Sequence, residues 1–128
     1  MEDFKLTLSI LPDKLAVCRL DNDDLIPSWV INRDFFSITR TKDELSIVCP
    51  EGRVPDEFKA EKNWRAFKVI GPLDFSLTGI IASLANALAG EKISIFAIST
   101  FDTDYILVKN NNLEKAVKVL SDFCNVQN

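Results

Sequence analysis

Hydrophobic and polar residues alternate near the start of this chain. From residue 4 to residue 10 every second residue is apolar, and the turn residues Pro12 and Asp13 follow. An alternation of period two is typical of a β-strand with one buried face. The pattern predicts that strand and three more, over residues 14–20, 35–40 and 44–49.

The second half of the chain changes to a helical period in two places. From residue 77, apolar residues recur at intervals of three and four as far as Leu88, Gly90 follows as the expected stop, and Ser76 or Thr78 is the expected N-cap. A last helix over residues 113–124 is capped by one of two preceding asparagines. With strands over 64–71, 93–99 and 104–109, this half is predicted to be β-α-β-β-α, whereas the first half offers one short helix over 55–62.

The chain resembles itself at a spacing of sixty residues. Residues 36–48 then align with residues 96–108 without a gap, although two hairpins can align this well by accident. We interpret the chain as two tandem units, residues 1–62 and 63–128. The first is degenerate, because a hairpin and a short turn replace its first helix. The predicted fold class is α+β, with antiparallel sheets and helices on one face.

Composition removes several classes of function. The 128 residues are 47% hydrophobic and 27% charged with a formal charge of −4, which is ordinary for a globular domain. No basic run exceeds one residue, so a nucleic-acid partner is not expected. No apolar stretch reaches the roughly 20 residues that cross a bilayer, and the first residues lack the pattern of a secretion signal. A cytoplasmic protein with no membrane partner is therefore expected.

The cysteines and the absence of histidine argue against catalysis. Cys18, Cys49 and Cys124 are widely spaced among apolar neighbours and are expected to be reduced core thiols. Without histidine or a CxxC pair the usual zinc sites lack ligands, and catalytic Ser-His or Cys-His pairs cannot form. We expect no metal, no cofactor and no enzymatic activity.

The second half resembles a known family. Its β-α-β-β-α order, with Asp74 and Gly79 ahead of the first helix, resembles the ACT domain, the regulatory module of aspartate kinases and related amino-acid enzymes. Residues 94–109 (SIFAISTFDTDYILVK) and 35–39 (FFSIT) are similar to the CASTOR arginine sensors and their small bacterial relatives. The resemblance implies a ferredoxin-like fold and a non-enzymatic module that binds an amino acid where two ACT units meet. One complete unit per chain then implies a homodimer.

The same resemblance implies which residues contact the ligand. One group lies at the start of the first helix of the second half: Thr78, Gly79, Ile80 and Ile81. The other group lies in the following strand and turn: Ser99, Thr100, Phe101, Asp102, Thr103 and Asp104.

Elementary chemistry gives these two groups complementary roles. A helix N-terminus presents amide N–H groups and partial positive charge, and Gly79 leaves room there for an α-carboxylate. Asp102 and Asp104 offer negative charge to a cationic group, beside the hydroxyls of the turn.

Each of these features also has a plainer explanation. Packing of the helix on the sheet also explains Gly79. Aspartates are common turn residues, which also explains Asp102 and Asp104, and a place in the core also explains Phe101. Two other functions therefore stay open: a small hydrolase or isomerase that uses the two aspartates as acid and base, and a ligand-free module that binds another protein through a sheet edge.

Overall fold

The computed structural model describes residues 6–70 and 79–128. The chain forms two compact units. We call Asp13–Trp64 the hairpin unit, and Met1–Pro12 together with Arg65–Asn128 the helical unit. This division assigns the first strand to the same unit as the C-terminal half of the chain.

The elements confirm the α+β class. In chain order they are β1 (Leu6–Ile10), β2 (Leu15–Leu20), β3 (Ser37–Arg40), β4 (Leu45–Pro50), β5 (Ala60–Val69), α1 (Ile80–Gly90), β6 (Phe96–Ser99), β7 (Asp104–Lys109), α2 (Leu113–Ser121) and β8 (Cys124–Gln127). Short 3₁₀ turns occupy Ser28–Val30, Glu51–Arg53 and Asn110–Asn112.

The prediction of a helix over residues 55–62 is wrong. Phe58 N–H donates to the carbonyl of Pro55, which closes a single turn, and β5 has already begun at Ala60. Residues Ala60 and Glu61 lie opposite Cys18 and Val17 of β2. Strand pairing satisfies the backbone and buries part of Ala60 against the core, so tertiary contacts outweigh a weak local helix signal.

The hairpin unit is an antiparallel sheet without an α-helix. Its strand order is β3-β4-β2, and β2 continues to the first half of β5. One face carries a buried cluster into which the 3₁₀ turn at Ser28–Val30 inserts Val30. Trp29 packs on that cluster with its ring centroid 5.1 Å from that of Phe58. In this unit, a 3₁₀ turn and two aromatic rings thus cover one face of the sheet, whereas α-helices cover the sheet of the other unit.

The helical unit has the strand order β6-β7-β5-β1-β8. Its element sequence β5-α1-β6-β7-α2-β8 is the βαββαβ pattern of ferredoxin-like folds. Strand β8 was not predicted, because Cys124 continues the apolar spacing of α2. Strand β1 lies between β5 and β8, antiparallel to β5 and parallel to β8. The prediction of purely antiparallel sheets is therefore wrong for this one pair. The prediction that the first two strands form a hairpin is also wrong, because β5 lies between β1 and β2.

Both helices lie on one face of this sheet, as predicted. Phe67 and Val69 alternate along β5, and so do Ile106 and Val108 along β7, which places the four side chains on one face. They form one buried cluster with residues of both helices: Leu84, Leu88, Ala116 and Leu120.

All three cysteines are buried, as the sequence predicts. Cys18 lies opposite Ile47 and Cys49 opposite Ala16, so the two thiols are diagonal neighbours on one face of the sheet. The hydrogen bond between them raises the pKa of the Cys49 thiol, and burial raises that pKa further.

Buried thiols of this kind should not react in the native state. Because the thiolate is the reactive form, we expect no labelling of Cys49 by Ellman's reagent at pH 8 and full labelling after unfolding in guanidinium. Absorbance at the nitrothiobenzoate band measures the number of labelled thiols. Rapid labelling of two or three native thiols at the same pH would include at least one of Cys18 and Cys49 and would contradict the burial of this pair.

The hairpins β3-β4 and β6-β7 share one turn structure. Thr41 and Thr100 each begin a four-residue turn, and their N–H groups donate to the carbonyls of Glu44 and Thr103 at 2.9 and 2.8 Å. Both threonine hydroxyls also accept from the N–H of the fourth turn residue, at 3.2 and 3.3 Å. The paired residues of β3-β4 correspond to those of β6-β7 at a spacing of 59 residues. The repeat that the sequence shows at sixty residues is therefore one position out of register with the strands.

Candidate functional site

Helix α1 begins at a glycine in the left-handed region. Gly79 is the N-cap residue with φ of 82°, and its carbonyl accepts from Ser83 N–H at 2.8 Å. A Cβ atom added to Gly79 would meet nothing within 4 Å, and the residue is exposed. No side chain caps the helix at this residue. The first amides of α1 have no partner within the helix, so this end can receive a negative group.

The turn at residues 100–103 is attached to the end of β5. The Thr103 hydroxyl is buried and donates to the carbonyl of Val69, the last residue of that strand. The Thr103 hydroxyl therefore uses its proton for a hydrogen bond within the fold. Thr100 also uses its hydroxyl inside the turn, where it donates to the Thr103 carbonyl at 3.1 Å.

Chain topology brings the start of α1 to the same end of the sheet. Strand β6 ends at Ser99 beside the turn and therefore starts at the opposite end. Because α1 packs on the sheet and leads into the start of β6, it begins at the end where β5 finishes. The two groups of predicted ligand residues are thus at one end of the helical unit.

Ser99 and Asp104 point to the helix-covered face. They lie opposite each other in the β6-β7 register, and Asp104 is two residues from the buried Ile106. Opposite residues of an antiparallel pair share a face, and so do residues two apart in a strand. Asp104 therefore lies on the face against which α1 packs.

A comparison of the two hairpin turns distinguishes Asp102 from Asp104. At a spacing of 59 residues, Asp102 corresponds to Asp43, whereas Asp104 corresponds to the buried Leu45. An aspartate at the same place in both turns is explained by the turn itself. Asp104 has no such explanation and is the stronger candidate for binding a cation. The repeat at 59 residues was the signal in the sequence that would have revealed this difference.

The remaining predicted ligand residues differ in how exposed their side chains are. Ile80 and Ile81 are half-buried at the start of α1, and Ile80 packs on the core. Phe101 is 79% exposed at the tip of the turn, so it is not a core residue. Thr78 and Asp74 lie outside the described residues.

The described residues offer neither a metal-binding cluster nor a membrane-spanning helix. Within residues 6–70 and 79–128, no group of three or more cysteine, aspartate or glutamate side chains could hold a metal ion. Neither of the two described helices is long and apolar enough to span a bilayer.

Two family models match the sequence. The model of the ACT domain matches residues 59–122, which run from the start of β5 to the end of α2. A second model, described only as an N-terminal domain, matches residues 13–57, which lie within the hairpin unit.

Similar proteins include named sensors. The human cytosolic arginine sensor for mTORC1 subunit 1 is 40% identical over 58 residues, which are 44% of this chain and 18% of the sensor. The human protein CASTOR3P is 33% identical over 100 residues, 68% of this chain and 61% of that protein. The matched region thus spans about a fifth of the arginine sensor.

Solved structures share the fold. Protein Atu0741 from Agrobacterium tumefaciens has a TM-score of 0.90 and 40% identity, covering 95% of this chain and 92% of that one. The regulatory subunit of aspartate kinase from Thermus thermophilus has a TM-score of 0.60 and 12% identity, covering 91% and 95%. The second likeness concerns the fold alone.

Proposed function

Because this chain belongs to the ACT domain family, we propose that it is a non-enzymatic regulatory module that binds a free amino acid. The observation that carries the proposal is the open N-terminus of α1 at Gly79. The ligand's α-carboxylate would accept hydrogen bonds from the first amides of the helix, where the helix dipole favours negative charge. The comparisons support a cytoplasmic sensor, since one relative is named a cytosolic arginine sensor.

The other end of the ligand would meet Asp104. This carboxylate lies on the helix-covered face at the same end of the unit, with the Ser99 hydroxyl opposite it. A charge-assisted bond to an ammonium or guanidinium group is stronger than a bond between neutral groups. Arginine carries both cations, which makes it the first ligand to test.

A second copy of the chain would complete the site. Among the described strands, β6 pairs with β7 alone, so its outer edge is available beside Ser99. A two-fold axis along this edge would bring two helical units together, and each would close the solvent-exposed side of the other's site. Binding of the amino acid would then stabilise the dimer and transmit the signal as a change in subunit pairing.

We expect an amino acid to raise the thermal stability of the protein. A ligand at a hundred times its dissociation constant adds about 2.7 kcal/mol to the free energy of unfolding. Thermal denaturation with each of the twenty amino acids, followed by calorimetric titration, measures this effect. Unchanged melting temperatures across all twenty at millimolar concentration would contradict the sensor function.

The variant Asp104→Asn tests the cation site separately. Loss of one charged hydrogen bond of about 1.5–3 kcal/mol predicts an affinity roughly ten- to a hundredfold lower. Asp43→Asn, in the equivalent hairpin of the other unit, is the matched control and should bind normally. Unchanged affinity in Asp104→Asn would reject this assignment while leaving the sensor function in place.

A further inference from the structure

The hairpin unit exposes apolar side chains in one short stretch. Among the described residues, four of the seven large hydrophobic side chains that face solvent lie in residues 21–36, which we call the 21–36 segment. They are Leu25 (89% exposed), Ile31 (54%), Ile26 and Phe36. Surface apolar residues that stand alone need no explanation, but several in one segment bordered by polar residues mark an interaction surface.

Hydrogen bonds hold this segment in one shape. The Asn32 side-chain amide donates to the carbonyls of Val30 and Phe35, at 3.0 and 3.1 Å, and its oxygen accepts from the N–H groups of Asp34 and Phe35, at 2.7 and 2.9 Å. At the other end, the Arg40 guanidinium donates to the carbonyls of two residues: Asn22 and Asp24. The apolar side chains are therefore displayed by a fixed backbone, which lowers the entropic cost of binding.

The core anchors the middle of the segment and leaves its flanks outside. Trp29 and Val30 belong to the buried cluster of the hairpin unit, whereas Leu25 and Ile31 on either side are mostly exposed. A polar residue at Leu25 would lose almost no burial within the chain. Packing of this unit therefore does not require a large apolar side chain there.

Most of the chain's net negative charge lies in the same segment. Its four aspartates and one arginine give −3, out of a formal −4 for all 128 residues, and the Arg40 guanidinium that binds two of its carbonyls reduces the local charge to −2. All four aspartates are exposed: Asp21, Asp23, Asp24 and Asp34. The surface thus combines apolar anchors with an acidic border.

This combination selects the kind of partner. Nucleic acids and anionic membranes would be repelled by the aspartates. A second copy docked on the same face would bring two charges of −2 together. We propose that the 21–36 segment binds a basic amphipathic segment of another protein, with its apolar face on Leu25 and Ile31 and its lysines or arginines beside the aspartates.

A peptide of known charge tests this proposal. The probe is an 18-residue amphipathic helix of leucine and lysine, and the comparison peptide has glutamate at every lysine position. Binding is measured by fluorescence anisotropy and located by NMR chemical-shift changes in the whole chain. We expect the lysine peptide to bind with shifts centred on the 21–36 segment, binding that weakens as salt is raised, and no binding of the glutamate peptide.

Three variants separate the contributions. Leu25→Asn combined with Ile31→Asn should lower affinity at least tenfold, since each apolar side chain loses its buried contact. Asp21→Asn combined with Asp23→Asn should lower affinity less and flatten the salt dependence. Phe123→Asn replaces a side chain that is as exposed as Phe36 but lies in the helical unit, and it should bind like the parent chain.

Several results would overturn the proposal. Equal binding of the glutamate peptide would exclude the charge argument, and shifts centred on the helical unit would exclude the location. Sedimentation that shows self-association of the parent chain, lost in the Leu25 and Ile31 variant, would assign the surface to a second copy instead. Unfolding curves of each variant verify that Leu25 and Ile31 are not needed for folding.

Discussion

Removal of residues 1–12 is expected to abolish cooperative folding of the helical unit. These residues supply β1, which pairs with β5 on one side and with β8 on the other. Without β1, the backbone groups of two strands lose their partners, and the fully buried Leu8 leaves the core. The fragment 63–128, which the sequence suggests as a complete ACT domain, should therefore show no cooperative urea transition.

The substitution Leu8→Ala tests the same strand within the whole chain. Deletion of a fully buried leucine side chain costs about 2–5 kcal/mol, a large share of a typical total of 5–15 kcal/mol. Leu25→Ala is the matched control, because its side chain is exposed and should change stability by less than about 0.5 kcal/mol. If fragment 63–128 unfolded cooperatively and Leu8→Ala were neutral, β1 would be dispensable.

Phe67→Ala is expected to lower the free energy of unfolding by about 3–5 kcal/mol. Among the described residues, Phe67 is the largest of the fully buried side chains, and it lies near the C-terminal end of β5 in one cluster with residues of both helices. Its removal takes away transfer free energy and leaves a cavity that the helices cannot fill without moving. Urea denaturation followed by circular dichroism gives the difference directly.

Phe101→Lys is the appropriate control for that experiment. Phe101 is mostly exposed, and Lys42 occupies the same position in the equivalent turn of the hairpin unit. The turn therefore accepts lysine at this position, and stability should change by less than about 0.5 kcal/mol. A cost below 1 kcal/mol for Phe67→Ala, or a cost in the control as large as in Phe67→Ala, would show that β5 is not the centre of the core.

The two proposed surfaces belong to different units. The amino-acid site uses the end of the helical unit near Gly79 and Asp104, whereas the acidic apolar surface is the 21–36 segment of the hairpin unit. Each can fail without the other, because no residue is shared. Binding of an amino acid by the Leu25 and Ile31 variant would demonstrate this independence.

Most strands and both helices follow from local patterns. Hairpins β3-β4 and β6-β7 lie where the alternation predicts them, since residues two apart share a face and close neighbours pair through short turns. Helix α1 has Gly79 in the left-handed region as its N-cap residue, whereas the sequence predicts Ser76 or Thr78, both outside the described residues. The repeat was detected one residue out of register, because similar apolar residues occur at neighbouring positions of both hairpins.

The sequence indicated which residues to consider for the candidate site but not what each side chain contacts. Sequence and family resemblance pointed to the start of α1 and to residues 99–104, and the structure brings these to one end of the helical unit. Sequence could not show that the Thr103 hydroxyl is used by the Val69 carbonyl. Nor could it separate Asp104 from Asp102, because that distinction depends on which face of a strand each side chain occupies.

The amino-acid sequence by itself determined the α+β class, the two hairpins and the two helices of this protein. Their signals are periodicities of two and 3.6 residues, which arise within a few neighbouring positions. Tertiary structure alone decided that β1 lies between β5 and β8, that residues 60–62 form a strand and that α2 is followed by β8. These outcomes depend on hydrogen bonds and burial between residues that are far apart in the chain, and no local pattern records the free energy of such contacts.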